Sequence, residues 1–398
     1  MRKLLATLLA LVMVFGFVAA CGGGDSPAPA PAPAPAPEAP APAPEAPAPA
    51  PAPEPIPVEE IAALRIALVS HSPESILDDG SFNQGAWTGI HNFIAQHGIS
   101  SDNVSFFQPN EGTTDARVDL IESVIEDWGA DILVLPGFHF ANSLYLAQDY
   151  FPDTKFIFLD SVPSPEGGGD SRIEPNLVSI LYAEHESGFF AGYAAVMDGY
   201  RDLGFIGGVA VPPVVRFGHG FIQGAEVAAE ELGLGAGDVT IRFHYAGQFA
   251  PDPAFTTLAG SWYADGTEVI FVAAGGVLFS IIPAAEATAD GMIIGVDVDQ
   301  SGLSDRIITS AKKELAISVA DMLNDALNGV FVGGRVITYD TSLNGVGLPW
   351  ENSKFNNFTK AQYDALFAAV AGGSIKVSDS LDFDEIVGKL TLVKVIEQ

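Results

Sequence analysis

"MIIGVDVDQSGLSDRIITSA", residues 292–311, contains two short apolar runs, Met292–Asp297 and Arg306–Ala311. Only the polar "VDQSGLSD" separates them. Both are short and contain paired Ile, and most runs of this kind in the chain read as continuous hydrophobic strands, the pattern of a sheet covered on both faces. The same omission of a helix recurs between "KFIFLDS" (155–161) and "LVSILY" (177–182), which are joined by "PSPEGGGDSRIEP". A closed (β/α)8 barrel places a helix after each strand. Two helixless junctions therefore count against a barrel. They are expected to mark places where the chain leaves one sheet and enters another.

Further strand-like runs are "LRIALVS" (64–70), "VSFFQP" (104–109), "DILVLPG" (131–137), "LGFIGGVAV" (203–211), "VTIRFHYA" (239–246), "EVIFVAAG" (268–275) and "RVITYD" (335–340). Helical periodicity fills the gaps at Phe82–His97, Ala116–Trp128, Ser187–Tyr200, Phe221–Leu232, Leu278–Ala289, Leu315–Leu327 and Ala361–Val370. Alternation of this kind makes the fold α/β with parallel crossover units. The length suits two doubly wound parallel-sheet lobes. The expected division is 61–182 plus about 305–332 for the first lobe, and 183–304 plus about 333–398 for the second. A cleft between strand C-terminal ends is where such sheets take ligands.

The N-terminal residues are of a different kind. "MRKLLATLLALVMVFGFVAAC" (1–21) has a basic start, a short apolar stretch and small residues before Cys21. It reads as a signal peptide. Val18–Cys21 resembles the lipobox of bacterial lipoproteins, which would make Cys21 the lipidated first residue of the mature protein. Cys21 is the only cysteine of the chain, so no disulfide can form within it. Residues 22–60 are a Pro/Ala-rich spacer. Proline lacks an N–H and fixes φ, so the repeat is expected to be an extended stalk. The expected location is the extracytoplasmic face of a cell membrane, held there by the lipid.

Charge excludes one large class. With 18 Lys+Arg against 50 Asp+Glu, the formal net charge is −32. Such a surface repels phosphate backbones, so no nucleic-acid partner is expected. There is no GxxxxGK[ST] loop, no GxSxG elbow and no HExxH helix. "GHGFIQG" (218–224) lacks the dinucleotide-loop spacing, and "PPVVRF" separates it from its strand. The seven histidines form no short-spaced metal pair. No cofactor, metal or catalytic residue is expected. "GVDVDQ" (295–300) is the most acidic strand end. Asp297 and Asp299 there could form an acid/base pair, a cation site or a solvated loop, and a carboxylate could also hold sugar hydroxyls as a bidentate acceptor. In "DDGSFNQGAWTGI" (78–90), Asp79 or Ser81 is placed to cap the helix that Phe82 and Asn83 begin.

An ordered set of motifs then carries a resemblance. "DDGSFNQGAW" (78–87), "GFHFANSL" (137–144), "EHESGFFAGYAA" (184–195), "GFIGG…PPVVRFGHGFIQG" (204–224), "AAGG" (273–276), "GVDVDQ" (295–300) and "TSAKKE" (309–314) together resemble the basic membrane protein, or PnrA-like, lipoprotein family. Its members are substrate-binding lipoproteins of ABC importers for purine nucleosides. The resemblance covers residues 62–345. It implies the type I periplasmic-binding-protein fold, two α/β lobes joined by three crossings. It also implies a small-molecule ligand, a purine nucleoside, and an ABC permease as partner.

By the same resemblance, Phe82 and Phe217 sandwich the purine and Asn83 meets its edge. Asp297 binds the ribose, Lys313 matches the family lysine, and the backbone of Gly275 approaches the sugar. Asp79 is grouped with these ligand-binding residues. Where the family has an aspartate facing the purine, this chain has Asn142. An amide can donate as well as accept. The exchange is expected to shift preference away from guanosine and inosine, towards adenosine or a broader set. Local packing alone would make Phe82 and Phe217 core residues and Lys313 a surface residue. The alternatives in the same fold are a sugar- or autoinducer-binding lipoprotein and a sensory receptor. A secreted nucleoside hydrolase would need a metal or an acid/base set that the motifs do not supply.

Overall fold

The computed structural model describes residues 58–398. The expected signal peptide, Cys21 and nearly all of the spacer lie outside the described residues. The end expected for the spacer, residue 60, is corrected: helix α1 (Val58–Ala63) already begins at Val58.

The chain then runs β1 (Ile66–Val69), α2 (Phe82–His97), β2 (Val104–Phe107), α3 (Thr114–Glu126), β3 (Ile132–Pro136), α4 (Ala141–Ala147), β4 (Lys155–Leu159) and β5 (Leu177–Tyr182). Next come α5 (Glu184–Asp198), β6 (Asp202–Gly207), α6 (Pro212–Glu231), β7 (Val239–Tyr245), α7 (Pro253–Ala264), β8 (Val269–Ala273), α8 (Leu278–Glu286), β9 (Met292–Asp297) and β10 (Ile307–Lys313). The last elements are α9 (Leu315–Leu327), β11 (Arg335–Tyr339), β12 (Val346–Gly347), α10 (Lys360–Ala371), α11 (Phe383–Val387) and β13 (Val393–Glu397).

Two sheets result. The first has order β11-β5-β4-β3-β1-β2 and the second β12-β10-β9-β8-β6-β7-β13. All pairings are parallel except that of β10 with β12. β1, β3 and β8 are buried along their whole length, as continuous apolar runs require.

The crossings are not where the helixless junctions suggested. β4 and β5 are neighbours in the first sheet, and β9 and β10 are neighbours in the second. Each junction, 160–176 and 298–306, is a loop crossover between adjacent parallel strands and contains no helix. The chain instead changes lobe at three places: Tyr182 to Glu184, Lys313 to Leu315, and Tyr339 to Val346. Two corrections to the expected division follow. Residues 307–313 belong to the second sheet, and β11 belongs to the first. The crossings lie side by side: Ala183 N–H donates to the Tyr339 carbonyl (3.1 Å), and Glu314 N–H to that of Gly345 (2.9 Å).

Close helix pairs set the positions of the site helices. On α5, a Cβ at Gly188 or Gly192 would overlap the carbonyl oxygens of Phe217 and Phe221 on α6. Gly220 and Gly224 on α6 meet the carbonyls of His185 and Phe189 in the same way. Gly220 and Gly224 of "GHGFIQG" thus serve backbone contact between helices, while Gly218 leaves room for the Phe205 and Phe243 rings. Pro212 and Pro213 open α6, where a missing N–H costs nothing. In the first lobe, a Cβ at Gly89 would lie 2.7 Å from the Ala316 carbonyl oxygen, so α2 is seated on α9.

Candidate ligand-binding site

A cavity of about 450 Å³ lies between the C-terminal ends of strands from both sheets. The first lobe contributes His71 after β1, Gly137 to His139 after β3, and Asp160 after β4. The second contributes Phe217 from α6, Gly275 after β8, Asp297 at the end of β9 and Lys313 at the end of β10.

Asp79 is the true cap of α2. Its carboxylate accepts from the N–H groups of Ser81 (2.9 Å), Asn83 (2.9 Å) and Gln84 (3.1 Å). Burial pushes its carboxyl up to about 6, against the pull of these donors. Ser81 makes no cap bond; its Oγ donates to Asp297 Oδ2 at 2.7 Å and so joins the lobes. Gln300 Nε2 does the same, donating to the Gly80 carbonyl at 2.9 Å. The Asn83 side-chain NH2 donates to Ser75 Oγ (3.0 Å) and the Ile76 carbonyl (2.9 Å), which pins the loop ahead of the helix. Its donors are thereby used, and Oδ1 is left to face other groups.

Lys313 is the electrostatic centre. Its side chain is 2 % exposed, not a surface group. Nζ donates to Asp160 Oδ2 at 2.6 Å and lies 3.3 Å from Glu184 and 3.7 Å from Asp297. Arg216 sits 3.5 Å from the other oxygen of Glu184. Burial disfavours the Lys313 ammonium, but the three carboxylates outweigh it and hold its pKa above the ordinary range. With three acids around one ammonium, Asp160 carries the excess, and burial pushes its carboxyl up to about 7. The ammonium also lies 5.0 Å from the centre of the Phe82 ring and 5.3 Å from that of Phe217. These are cation–π distances, and they bring one ring from each lobe to one cavity.

Asp160 and Asp297 both have positive φ, 66° and 65°. This left-handed conformation costs a non-glycine residue energy and concentrates at functional sites. Each ends a strand in its own sheet and turns a carboxylate towards Lys313. Gly275, at φ 53°, lets the chain pass beside Phe249.

Seven of the eight expected ligand-binding residues line this cavity: Asp79, Phe82, Asn83, Phe217, Gly275, Asp297 and Lys313. Asn142 does not. It sits in the first turn of α4, its amide directed to the Ser164 carbonyl at 3.5 Å. Phe217 is also a core residue, packed edge to face on Phe271 at 5.9 Å. Of the acids in "GVDVDQ", Asp299 turns away to accept from Ser301 N–H and the Asn352 amide.

Sequence reasoning missed Asp160, Glu184, His71 and His139. A usable signal for Asp160 was the match between "FLDS" and "GVDV", strand ends that close on an aspartate. For the histidines there was none, because their partnership forms only when β1 and β3 become neighbours.

Two α/β lobes with three crossings and a cavity at the strand ends make the type I periplasmic-binding-protein fold. A crystal structure of an ABC transporter solute-binding protein from Aeropyrum pernix K1 shares this fold at a TM-score of 0.66 and 20% identity, covering 82% of this chain and 96% of that one. A solute-binding protein from Conexibacter woesei matches at 0.60 and 20%, covering 80% and 99%. Within that class, the family model for "ABC transporter substrate-binding protein PnrA-like" matches residues 66–368, and the chain belongs to this family. Similar relatives include the ABC transporter nucleoside-binding protein BmpA of Lactococcus lactis, 28% identical over 70% of this chain and 79% of that protein. Basic membrane protein A1 of Borrelia garinii is 32% identical over 71% and 79%. No helix among the described residues is long and apolar enough to cross a membrane.

Proposed function

We propose that the protein captures a purine nucleoside in the interlobe cavity and passes it unchanged to an ABC permease, while a lipid on Cys21 holds it at the extracytoplasmic face of the membrane. The observation that carries this reading is the pair Phe82 and Phe217, one ring from each lobe, facing one cavity beside the Asp297–Lys313 cluster. Rings on both sides favour a flat heteroaromatic base; stacking is worth about 1–3 kcal/mol per base. The carboxylates of Asp297 and Asp160 suit vicinal hydroxyls, which donate two hydrogen bonds. Contacts from both lobes favour the closed state, the form a permease would recognise. The nucleoside-binding name of the Lactococcus relative supports the same ligand class.

A thermal-shift screen of nucleosides, free bases and sugars tests the ligand class. A ligand well above its dissociation constant raises the melting temperature. Purine nucleosides are expected to do so most. Stabilisation by sugars alone would instead support a sugar-binding lipoprotein. Chromatography after incubation should return the nucleoside intact; released base would make the protein an enzyme.

A further inference from the structure

His71 and His139 stand one behind the other on the cavity wall. Their ring centres are 4.1 Å apart and their planes differ by 6°. His71 follows β1 and His139 follows β3, which are adjacent in the sheet, while Asp160 follows β4 on the far side of β3. Strands lie ~4.8 Å apart, so the histidines begin about one strand spacing from the Asp160–Lys313 cluster and extend away from it. Arg117 fixes their backbones. Its guanidinium donates to the carbonyls of His71 (2.7 Å), His139 (3.1 Å) and Gly112 (2.8 Å).

Neither imidazole has a hydrogen bond to a ring nitrogen among the described residues, and His139 Nδ1 is buried without a partner. Nδ1 of His139 is closed off from the cavity, so the ring nitrogens that stand accessible and unpaired there are Nε2 of His139 and those of His71. Burial, and then the neighbouring ring and Arg117 for His71, lower the pKa values to about 3 for His71 and about 4 for His139. Both rings are therefore neutral near pH 7, and a neutral imidazole offers one donor and one acceptor.

We infer that His71 and His139 are the residues that read the hydrogen-bonding edge of the base, in place of Asn142, which the cavity does not reach. This rests on the nucleoside reading above. The chemistry is specific. A carboxylate only accepts, so it selects bases that present N–H groups. A neutral imidazole nitrogen donates in one tautomer and accepts in the other, so two rings with one nitrogen each can meet the N–H and carbonyl of a 6-oxopurine or the amino group and ring nitrogen of a 6-aminopurine. The pair thus makes a site that accepts both classes of purine nucleoside.

Calorimetric titration of adenosine, inosine and guanosine into the full protein tests the inference with His71→Phe, His139→Phe, His139→Gln and Asn142→Asp. Phenylalanine keeps a ring in the stack and removes both nitrogens. Each Phe variant is expected to lose about tenfold or more in affinity for at least one purine class, the scale of one buried hydrogen bond, and to change the rank order of the three. His139→Gln, which keeps a polar group near Nε2, is expected to recover part of the loss. Asn142→Asp is expected to leave the rank order unchanged. Wild-type rank order in both Phe variants, with affinities within twofold, would overturn the inference while leaving the nucleoside reading intact. Wild-type protein that binds none of the three would overturn both.

Discussion

At the scale of single residues, Lys313 has the most to lose. It is the ammonium that three buried carboxylates share. Removing one partner from a buried ion pair costs about 3–5 kcal/mol, because the remaining charge is left uncompensated. Lys313→Met is expected to lower stability on that scale in urea melts at pH 7, and by less at pH 5, where protonation can relieve the acids. Equal losses at both values would mean that the cluster is not what Lys313 holds. Phe217→Ala should weaken nucleoside binding by about 1–3 kcal/mol if the ring stacks on a base. Core loss is expected too, since Phe217 packs on Phe271, so unliganded melting temperature must be measured beside affinity. Much of this was legible in the sequence. Phe82, Phe217, Asp297 and Lys313 all sit in motifs that distinguish themselves from their surroundings. Asp160 was not legible as a site residue, because one aspartate after an apolar strand looks like any loop start. Its positive φ and its pairing with Lys313, 153 positions away, exist only in the fold.

Helix pairs are the elements that aim these residues. α5 and α6 touch backbone to backbone through Gly188, Gly192, Gly220 and Gly224, which sets where Phe217 points. Gly224→Ala is expected to destabilise the protein by about 1–3 kcal/mol, the usual cost of overpacking, and to weaken ligand binding through displacement of α6. Chemical denaturation and a titration measure the two effects. A fully stable variant with unchanged affinity would show that the contact can relax. The strands of the chain were readable from their apolar runs, from β1 to β11, most clearly where burial on both faces leaves a strong pattern, as in β1, β3 and β8. β12, two residues long, and β13 were not: the first is too short for any period, and "VKVIE" in β13 is an edge strand with partly exposed faces. Connectivity was harder still. A helixless joint looks the same whether the chain changes sheet or steps to the next strand, and only pairing decides.

At the largest scale, the two sheets of the described residues are joined by three crossings beside the interlobe cavity, an arrangement suited to a hinge with the charge cluster at its pivot. Glu184 and Lys313 lie on the first two crossings and pair with each other, and Asp160 and Asp297 reach Lys313 from opposite lobes. Closure on a ligand should reduce the radius of gyration in small-angle scattering; no change on saturation would argue against a hinge. Acid sensitivity is a second global property. His71 and His139 take up protons on unfolding between their folded values, about 3 and about 4, and the ordinary 6.5. Their contribution to stability is complete above 6.5 and falls away as pH drops towards 4. The double variant His71→Phe/His139→Phe is therefore expected to lose less melting temperature than wild type between pH 6.5 and 4; parallel curves would remove the histidines from the pH response. The most direct test of the central reading is a calorimetric titration of purine nucleosides into the intact protein and its Phe217→Ala variant. Saturable one-to-one binding by wild type, weakened by about 1–3 kcal/mol in the variant, is the expected result. No heat with any purine nucleoside, or equal affinity in both proteins, would contradict the assignment of the cavity as a nucleoside clamp.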